Sequence, residues 1–448
     1  MKPTRRLTHL LLALACLLAT AAPAATKPVR SETIKPLRNE TFNKGGQARE
    51  RKQGGNPRTV QGLLVFNGSM DGNRQVDPQV AVGNGFVMEA SNSGLIIYDK
   101  EGKWVQGVPQ SEFNRGIDPK LLFDFQNRVF FFNLWNPWDA EKLKPVNVSV
   151  SETADPRGAW NTYPVPAPGG RDGGGIGGSR KWIGYSFPGG PEQTFVLPKA
   201  PAIAGKPVAV HHFSGSLGHP VHTQDPLDDL YFVNLTGSDI VLSRVADSGD
   251  GTPEVAEVIR APHGFEHFGW PPQSPQKGTA VKTASGDRNP KNLVIQGGHL
   301  WFSHTVSVDG RAAVQWHQFK LDGTRVQSGR LAHPTNSYIQ TTLGVNQHND
   351  VLVGFQETGP DMFISPRCAW RRASDPPGTL REIIRLGEGE GPTDGVAWGD
   401  YSGTALDADN LNDLWTIQSI TDAGGKGDNL IARIPFPPAP AEPPKEKK

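Results

Sequence analysis

The sequence predicts an all-β protein assembled from repeated short strands, and three observations predict it. Gly (52 residues) and Pro (39 residues) are abundant in a chain of 448, a supply of turn formers that suits many short strands. No window carries the 3.6-residue apolar period of a long amphipathic helix. A third feature is a pattern that occurs seven times: a strand-like run, a Gly, Asn or Asp turn cluster, and a second strand-like run. Its clearest copy lies between Ala397 and Gln418. There Trp398-Gly399-Asp400 leads into Tyr401 to Leu406, a turn cluster spans Asp407 to Asn412, and Leu414 to Gln418 follows.

Upstream, the same pair of runs is expected six times. The pairs are Pro78 to Val82 with Phe86 to Ala90, and Pro119 to Phe123 with Val129 to Leu134. Next come Lys181 to Tyr185 with Thr194 to Leu197, and Pro220 to Thr223 with Leu230 to Asn234. Lys291 to Ile295 with His299 to His304, and Tyr338 to Val345 with Val351 to Phe355, complete the series. Several units continue with third and fourth strands. A D-x-x-G-x-apolar turn recurs at Asp99, Asp155 and Asp375, each time between a third and a fourth strand. In such a turn the carboxylate accepts backbone N–H groups and Gly takes positive φ. Four-stranded antiparallel units repeating about every 50 residues predict a seven-bladed β-propeller. The last unit has a third strand at Asn429 to Ile434 and then runs out of chain. Its outer strand is assigned to Val60 to Phe66, an N-terminal strand that would close the ring. A β-sandwich or a two-domain β protein is the competing architecture.

The ends of the chain differ from this array. Lys2, Arg5 and Arg6, the apolar run Leu10 to Leu18 and Ala22-Pro23-Ala24 form a secretory signal over residues 1–25, cut near Ala24. A lipoprotein signal on Cys16 is the rival, but Ala13-Leu14-Ala15 is a poor match before it. The mature protein is expected to be secreted or periplasmic. Cys368 is then its only cysteine, so core burial rather than an internal disulfide must stabilise it. Residues 26–58 form a polar, basic leader, expected to be disordered: Lys27 to Arg58 carries nine Lys/Arg against three Glu. The Pro-rich tail, 436–448, is expected to be solvated, which leaves 59–435 as a single domain. A formal net charge of +1 gives no argument for a nucleic-acid partner. No membrane span is expected, and the chain is taken as a monomer.

Three stretches resemble a widespread family of secreted bacterial β-propeller proteins. They are DPQVAVGNGFVMEASNSGLIIYDKEGKWV; DPKLLFDFQNRVFFF with VSVSETADPRGAWNTYPVP; and GVNQHNDVLVGFQE followed by SDPPGTL and WGDYSGTALDADNLNDLW. They spread from Asp77 to Trp415, and WGDYSG after a DPxGT turn is the most specific piece. The match is weak from Gly170 to Gly286, and where the family has a DYPK-like start to its third unit this chain reads Gly178 to Gly184, GSRKWIG. The resemblance implies the fold and export and no settled activity.

Several constellations carry chemistry on paper. His263-Gly-Phe-Glu266-His267 matches the H-x-x-E-H zinc signature, but Pro262, Gly264, Gly269, Pro271 and Pro272 surround it, so the helix that chemistry needs is not expected. The histidines at 211, 212, 219 and 222 are dense but lack a coherent ligand spacing. Asp407, Asp409 and Asp413 outline a calcium loop, although Leu411 occupies a ligand position and the Gly is missing; a hairpin turn is the simpler reading, and no cofactor is expected. Trp135 and Trp138, in a polar loop, are candidates to stack on a sugar ring. His304, Tyr338 and Lys181 are residue types a polysaccharide lyase would use, and nothing in their spacing singles them out.

The expected site is the central mouth. In a propeller the innermost strands run the same way, so their starting ends converge. Here those starts carry Asp77, Asp118, Arg180, Lys181, His222, Asn289, Trp398 and Asp400. Convergent polar groups at a concave mouth predict a polar ligand, a saccharide first, with Asp118, Lys181 and Asp400 in contact. The functional expectation is an exported binding or scaffold propeller acting on extracellular glycan or envelope partners. The alternative is a carbohydrate-active enzyme, hydrolase or lyase, with its site at the same mouth.

Overall fold

The computed structural model describes residues 25–40, 54–69, 77–92, 94–108, 113, 116–138, 144–167, 174–394 and 398–436. Nearly all of the expected signal segment and of the tail lies outside these residues. Among them the fold is all-β, with one short α-helix, Lys199–Ile203.

The strands form antiparallel sheets from consecutive segments. Gln79–Gly83, Phe86–Ser91, Gly94–Asp99 and Trp104–Val108 pair in chain order. The first hairpin shows why: Asn84 (φ 55°) and Gly85 (φ 84°) both take the left-handed conformation that a two-residue Asn-Gly turn requires. Ile117–Asp124, Val129–Trp135, Val146–Ser151 and Trp160–Val165 form the next sheet. The same order holds for Leu293–Gln296, His299–Val308, Arg311–Lys320 and Arg325–Leu331, and for Ser337–Val345, Val351–Gly359, Met362–Arg371 and Ile384–Arg385. Only the Asp99 turn meets the full expectation, with Gly102 at φ 81°; at Asp155 the carboxylate caps as expected but Gly158 is not at positive φ. Asp99 Oδ1 accepts the N–H groups of Glu101 (3.0 Å) and Lys103 (2.8 Å), and Asp155 Oδ1 accepts that of Arg157 (2.9 Å). Asp375 instead accepts the N–H of Arg372, at the end of the preceding strand (2.8 Å).

The third unit departs from expectation. Lys181 to Tyr185 belongs to a second strand, Trp182–Ser186; the first strand is the glycine-rich Gly175–Gly178. Glycine is needed there because a neighbouring strand passes against it. A Cβ on Gly177 would lie 2.6 Å from the carbonyl oxygen of Val221. The fourth unit's first strand is split. His219–Pro220 pairs with Leu230–Leu235, and His222–Thr223 pairs in parallel with both Gly178 and Val294–Ile295.

The first strands make a ring. Gln79–Gly83, Ile117–Asp124, Gly175–Gly178, the fragments at 219–223, Leu293–Gln296, Ser337–Val345 and Gly403–Leu406 touch in that order, and the last touches the first. Sheets arranged radially about a shared channel are the propeller arrangement. The core lies between neighbouring sheets: Ala81 and Met88 pack with Leu121, Phe130 and Phe132, and Phe66 and Val80 with Trp415 and Ile417. Strands covered on both faces read as continuous apolar runs, as Val129–Trp135 (VFFFNLW) does.

The two ends of the chain meet in one sheet. Leu63–Asn67 pairs with Gly427–Ile434, from Leu64 against Arg433 to Asn67 against Leu430, and Gly55–Val60 lies outside it. Glu89, fully buried, fastens this seam. Its carboxylate accepts the Ser69 N–H (3.0 Å) and Oγ–H (2.7 Å), the Tyr98 hydroxyl (2.9 Å) and the Asn429 side-chain amide (3.0 Å). The expected disordered leader is corrected as well. Arg30–Ile34 and Leu37–Asn39 add outer strands against Val208–Phe213 and Trp160–Val165, and Thr26 bridges Val255. Free outer edges recruit this polar segment through backbone pairing, which composition does not report.

Candidate functional site

Asp77 precedes the first strand of one sheet and Asp118 is the second residue of the first strand of the adjacent sheet, each followed by Pro and each at positive φ (42° and 56°). Aspartate is one of the few side chains that tolerates this region. Asp400 lies ahead of the neighbouring first strand on the other side. The Asp400 N–H donates to Asp77 Oδ1 (2.5 Å), the Asn92 amide donates to Asp77 Oδ2 (2.6 Å), and the Asn92 oxygen accepts the Asp118 N–H (2.9 Å). One asparagine thus ties two of the aspartates, and its two partners fix which way the amide points. Gly399 (φ 111°) makes the approach possible, since a Cβ there would sit 2.9 Å from Asp77 Oδ1. Gln340, itself at φ 52°, holds the Gly399 carbonyl through its side-chain amide (2.6 Å).

Two residues that sequence reasoning missed complete the cluster. Lys120 is 3% exposed, and its Nζ lies 2.7 Å from the centre of the Tyr401 ring. Neither Lys120 Nζ nor the buried Tyr401 hydroxyl has a hydrogen-bond partner among the described residues. Burial, with the nearby Lys291, pushes the Lys120 ammonium well below its usual range, although Asp77, Asp118 and Asp400 pull it back. Burial and the same three carboxylates push the Tyr401 phenol well above its usual range. Asp77 is pushed up to about 6, chiefly by burial and then by Asp400, against the hydrogen bonds it accepts. His219 is pushed down to about 3 by burial and by Lys291 and Lys120. The mouth therefore gathers three aspartates, two lysines, a tyrosine and a histidine. It offers hydrogen-bond acceptors, donors and a carboxyl group that exchanges its proton near neutral pH.

Below the mouth the channel is narrow. A cavity of about 50 Å³, lined by Gln79, Lys120, His222, Lys291, Asn292 and Thr404 among others, runs between the first strands. With about 10–15 Å³ needed per water, it holds a few waters and no sugar ring. At the other ends of the first strands, acidic side chains cap the hairpin turns of neighbouring sheets. Asp409 accepts the N–H groups of Asn84 (2.8 Å) and Gly85 (2.9 Å), and Asp225 accepts those of Gly297 (2.9 Å) and Gly298 (2.7 Å).

Of the eight residues expected at the mouth, Asp77, Asp118 and Asp400 come together. Arg180 and Lys181 do not, because they precede a second strand; Arg180 pairs with Asp228, and Lys181 with Asp247 at 3.4 Å. His222 lines the channel deeper in, pushed down to about 4 by burial and Lys199. Asn289 donates its N–H to Asp287 (2.8 Å), in the turn leading to Lys291. Trp398 is core: it packs with Ala312, Ile339 and Ile364 and donates its indole N–H to Gln356 (2.6 Å). Alternation from Asp118 does not reveal Lys120, because the pairing slips between Ile117 and Lys120 and Asp118 itself is at positive φ.

Residues of the three metal-like patterns are engaged by partners within the chain. Asp407 and Asp409 face Lys100 (2.5 and 2.9 Å), Asp409 also faces Arg128 (2.5 Å), and Asp413 pairs with Arg433. These carboxylates are already neutralised by cations of the chain, so the calcium loop is a hairpin turn. His263 lies on no helix, and its ring is engaged by the Phe265 N–H (3.0 Å) and the Thr236 carbonyl (3.4 Å). His211 and His212 bind Ser31 and Glu32 of the N-terminal strand (both 2.8 Å). No group of three His, Cys, Asp or Glu gathers for a metal among the described residues. Nor is any described helix long and apolar enough to cross a membrane. Of the two tryptophans expected in a loop, Trp135 is instead the last residue of the strand Val129–Trp135, partly buried against the core, and Trp138 is exposed.

No protein-family model matches the chain, and no curated protein does. Among solved structures, it superposes on a quinonprotein alcohol dehydrogenase-like protein from Bacteroides thetaiotaomicron with a TM-score of 0.42 and 11% identity, covering 75% of this chain and 76% of that one. The WD40 domain of SCAP from fission yeast gives 0.39 and 8%, over 86% and 98% of the two chains. An ulvan lyase of a polysaccharide lyase family, bound to a glucuronate–sulfated rhamnose unit, gives 0.36 and 9%, over 80% and 94%. The fold assignment rests on the strand pairing above.

Proposed function

We propose that this is an exported, single-domain, seven-bladed propeller of four-stranded blades that binds a polar, hydroxyl-rich ligand, a saccharide, at its mouth. One observation carries the reading. Asp77, Asp118 and Asp400 converge on a buried lysine and a buried tyrosine whose polar atoms have no partner among the described residues. Buried polar groups are normally satisfied, and leaving them open costs stability, so an unsatisfied cluster at a concave mouth points to a ligand that completes it. Because the channel beside these groups admits only water, they would reach the sugar through bridging water, the carboxylates accepting from it and Lys120, Lys291 and Tyr401 donating to it. The test is binding of a polysaccharide panel to the parent, Asp400→Asn and Asp118→Asn. Each variant should bind roughly tenfold more weakly or worse while melting within a few degrees of the parent, a charged hydrogen bond being worth about 1.5–3 kcal/mol. Variants that unfold early and bind normally would make these aspartates braces of the ring.

A second reading has one observation in its favour. Asp77, pushed up to about 6, sits beside Asp400, and paired carboxyl groups with separated affinities for protons are what glycosidic bond cleavage uses. Assaying the same panel for reducing-end release and for unsaturated-uronate absorbance distinguishes the two. Turnover lost in a mouth variant supports the enzyme, and binding without turnover supports the binding protein.

A further inference from the structure

The loop between Pro262 and Leu293, about thirty residues without regular strands, crosses the mouth face of two sheets. Loops of this length in a compact fold are commonly functional. It reaches the mouth side because it touches the end of one second strand and the early part of the next first strand. Ser307, near the end of His299–Val308, donates its N–H to Gly269 (3.2 Å), and Gln340 donates its N–H to Ser285 (3.1 Å). The loop presents Trp270, 57% exposed, the most exposed of the large aromatic side chains among the described residues. Pro271 and Pro272 stiffen the backbone after it. The Arg288 guanidinium lies 4.8 Å from the centre of the Trp270 ring and 4.8 Å from that of Phe268, and it donates to the Phe268 carbonyl (3.3 Å). The indole is therefore held against a cation on one side while more than half of the residue stays open to solvent.

Arg288 is three residues before Lys291, which lines the channel, so backbone between them spans at most about 10 Å. We propose that Trp270 is a second subsite on the mouth face, and that the ligand is a neutral saccharide chain, one ring held in the mouth and a later ring stacked on the indole. This rests on the saccharide reading of the mouth. A neutral chain fits because the mouth already holds three carboxylates against two lysines, and a polyanion would add to the acidic side. An indole fixed by Arg288 and two prolines binds an apolar sugar face at small entropic cost.

Isothermal titration with cello-, xylo- and chito-oligosaccharides of two and of six rings tests it, using the full chain, Trp270→Ala, Trp270→Phe and Asp400→Asn. One series should bind the parent, its hexamer more tightly than its dimer. Trp270→Ala should lose roughly tenfold for the hexamer and little for the dimer, a stacking contact being of that size, and Trp270→Phe should recover part of the loss. Asp400→Asn should lose both lengths. If Trp270→Ala binds both lengths like the parent while Asp400→Asn loses both, the second subsite is overturned and the mouth reading stands. If Asp400→Asn binds like the parent while Trp270→Ala loses the hexamer, the aromatic subsite stands and the mouth reading fails. Equal losses for both lengths in Trp270→Ala overturn the separate subsite, and a parent that binds none of the three series overturns the neutral-chain assignment.

Discussion

The seam and the mouth each bury a charge-bearing side chain, and they treat it in opposite ways. At the seam, Glu89 accepts four hydrogen bonds from Ser69, Tyr98 and Asn429, so three separate parts of the chain are fastened to one carboxylate. At the mouth, Lys120 is nearly as buried and its Nζ has no partner among the described residues. A satisfied buried charge holds a fold together, whereas an unsatisfied one is a cost the fold carries. The difference assigns stability to the first region and is the basis of the ligand contact proposed for the second.

The seam should therefore break the protein when it is cut. Deleting Thr59 to Asn67 removes the strand that pairs with Gly427–Ile434 and exposes that strand's edge. The truncated chain should be poorly soluble and melt far below the parent; equal solubility and heat resistance would show that the pairing contributes nothing. Glu89→Ala makes the milder cut. It strands the Ser69, Tyr98 and Asn429 donors in the core and should cost about 3–5 kcal/mol, read from urea unfolding with saccharide binding preserved in the fraction that stays folded. A loss under about 1 kcal/mol would mean that water replaces the carboxylate there.

Burial pushes both the Glu89 and the Asp77 carboxyl groups above their ordinary range, and the effect can be followed at the mouth. Asp77 is pushed up to about 6 in the fold from an ordinary value of 3.8. Between those values the folded protein holds a proton that the unfolded chain has released. That contribution is complete below about pH 4 and is lost as pH rises through 6, amounting to about 3 kcal/mol at 1.36 kcal/mol per unit. The urea midpoint of the parent should fall across this interval, and Asp77→Asn should flatten that part of the curve. Parallel curves for the two proteins would place the titrating group elsewhere.

What was legible in the sequence was what local chemistry decides. Asn84-Gly85 announces its hairpin because only such residues take two left-handed conformations in succession. Asp77 and Asp118 announce the mouth because Asp-Pro at positive φ marks a strand start. The third unit was misread because its first strand, Gly175–Gly178, has no apolar alternation; its glycines answer to Val221, more than forty residues on in the chain. Arg180 and Lys181 were misplaced by the same one-strand shift. Lys120 and Tyr401 escaped notice because their contact joins residues far apart in the chain, and nothing local marks a lysine for burial.

The finest test of the comparison asks for opposite signs. Glu89→Ala must destabilise, because it leaves donors without an acceptor. Lys120→Met should do the reverse. Methionine fills much of the same volume, needs no hydrogen bond and removes an amine that sits in the core unpaired. Replacing such a charge by an apolar side chain is commonly neutral or stabilising, and the expected gain is about 1–2 kcal/mol. Asp77, Asp118 and Asp400 limit the gain, since each loses some of the attraction it now has to Lys120. The same variant should lose saccharide binding, since the donor facing the mouth is gone. A protein that melts higher and binds nothing is what a site held open at the expense of stability predicts. If Lys120→Met instead melts lower, the lysine is a counter-ion that the three aspartates require, and the mouth is a second seam.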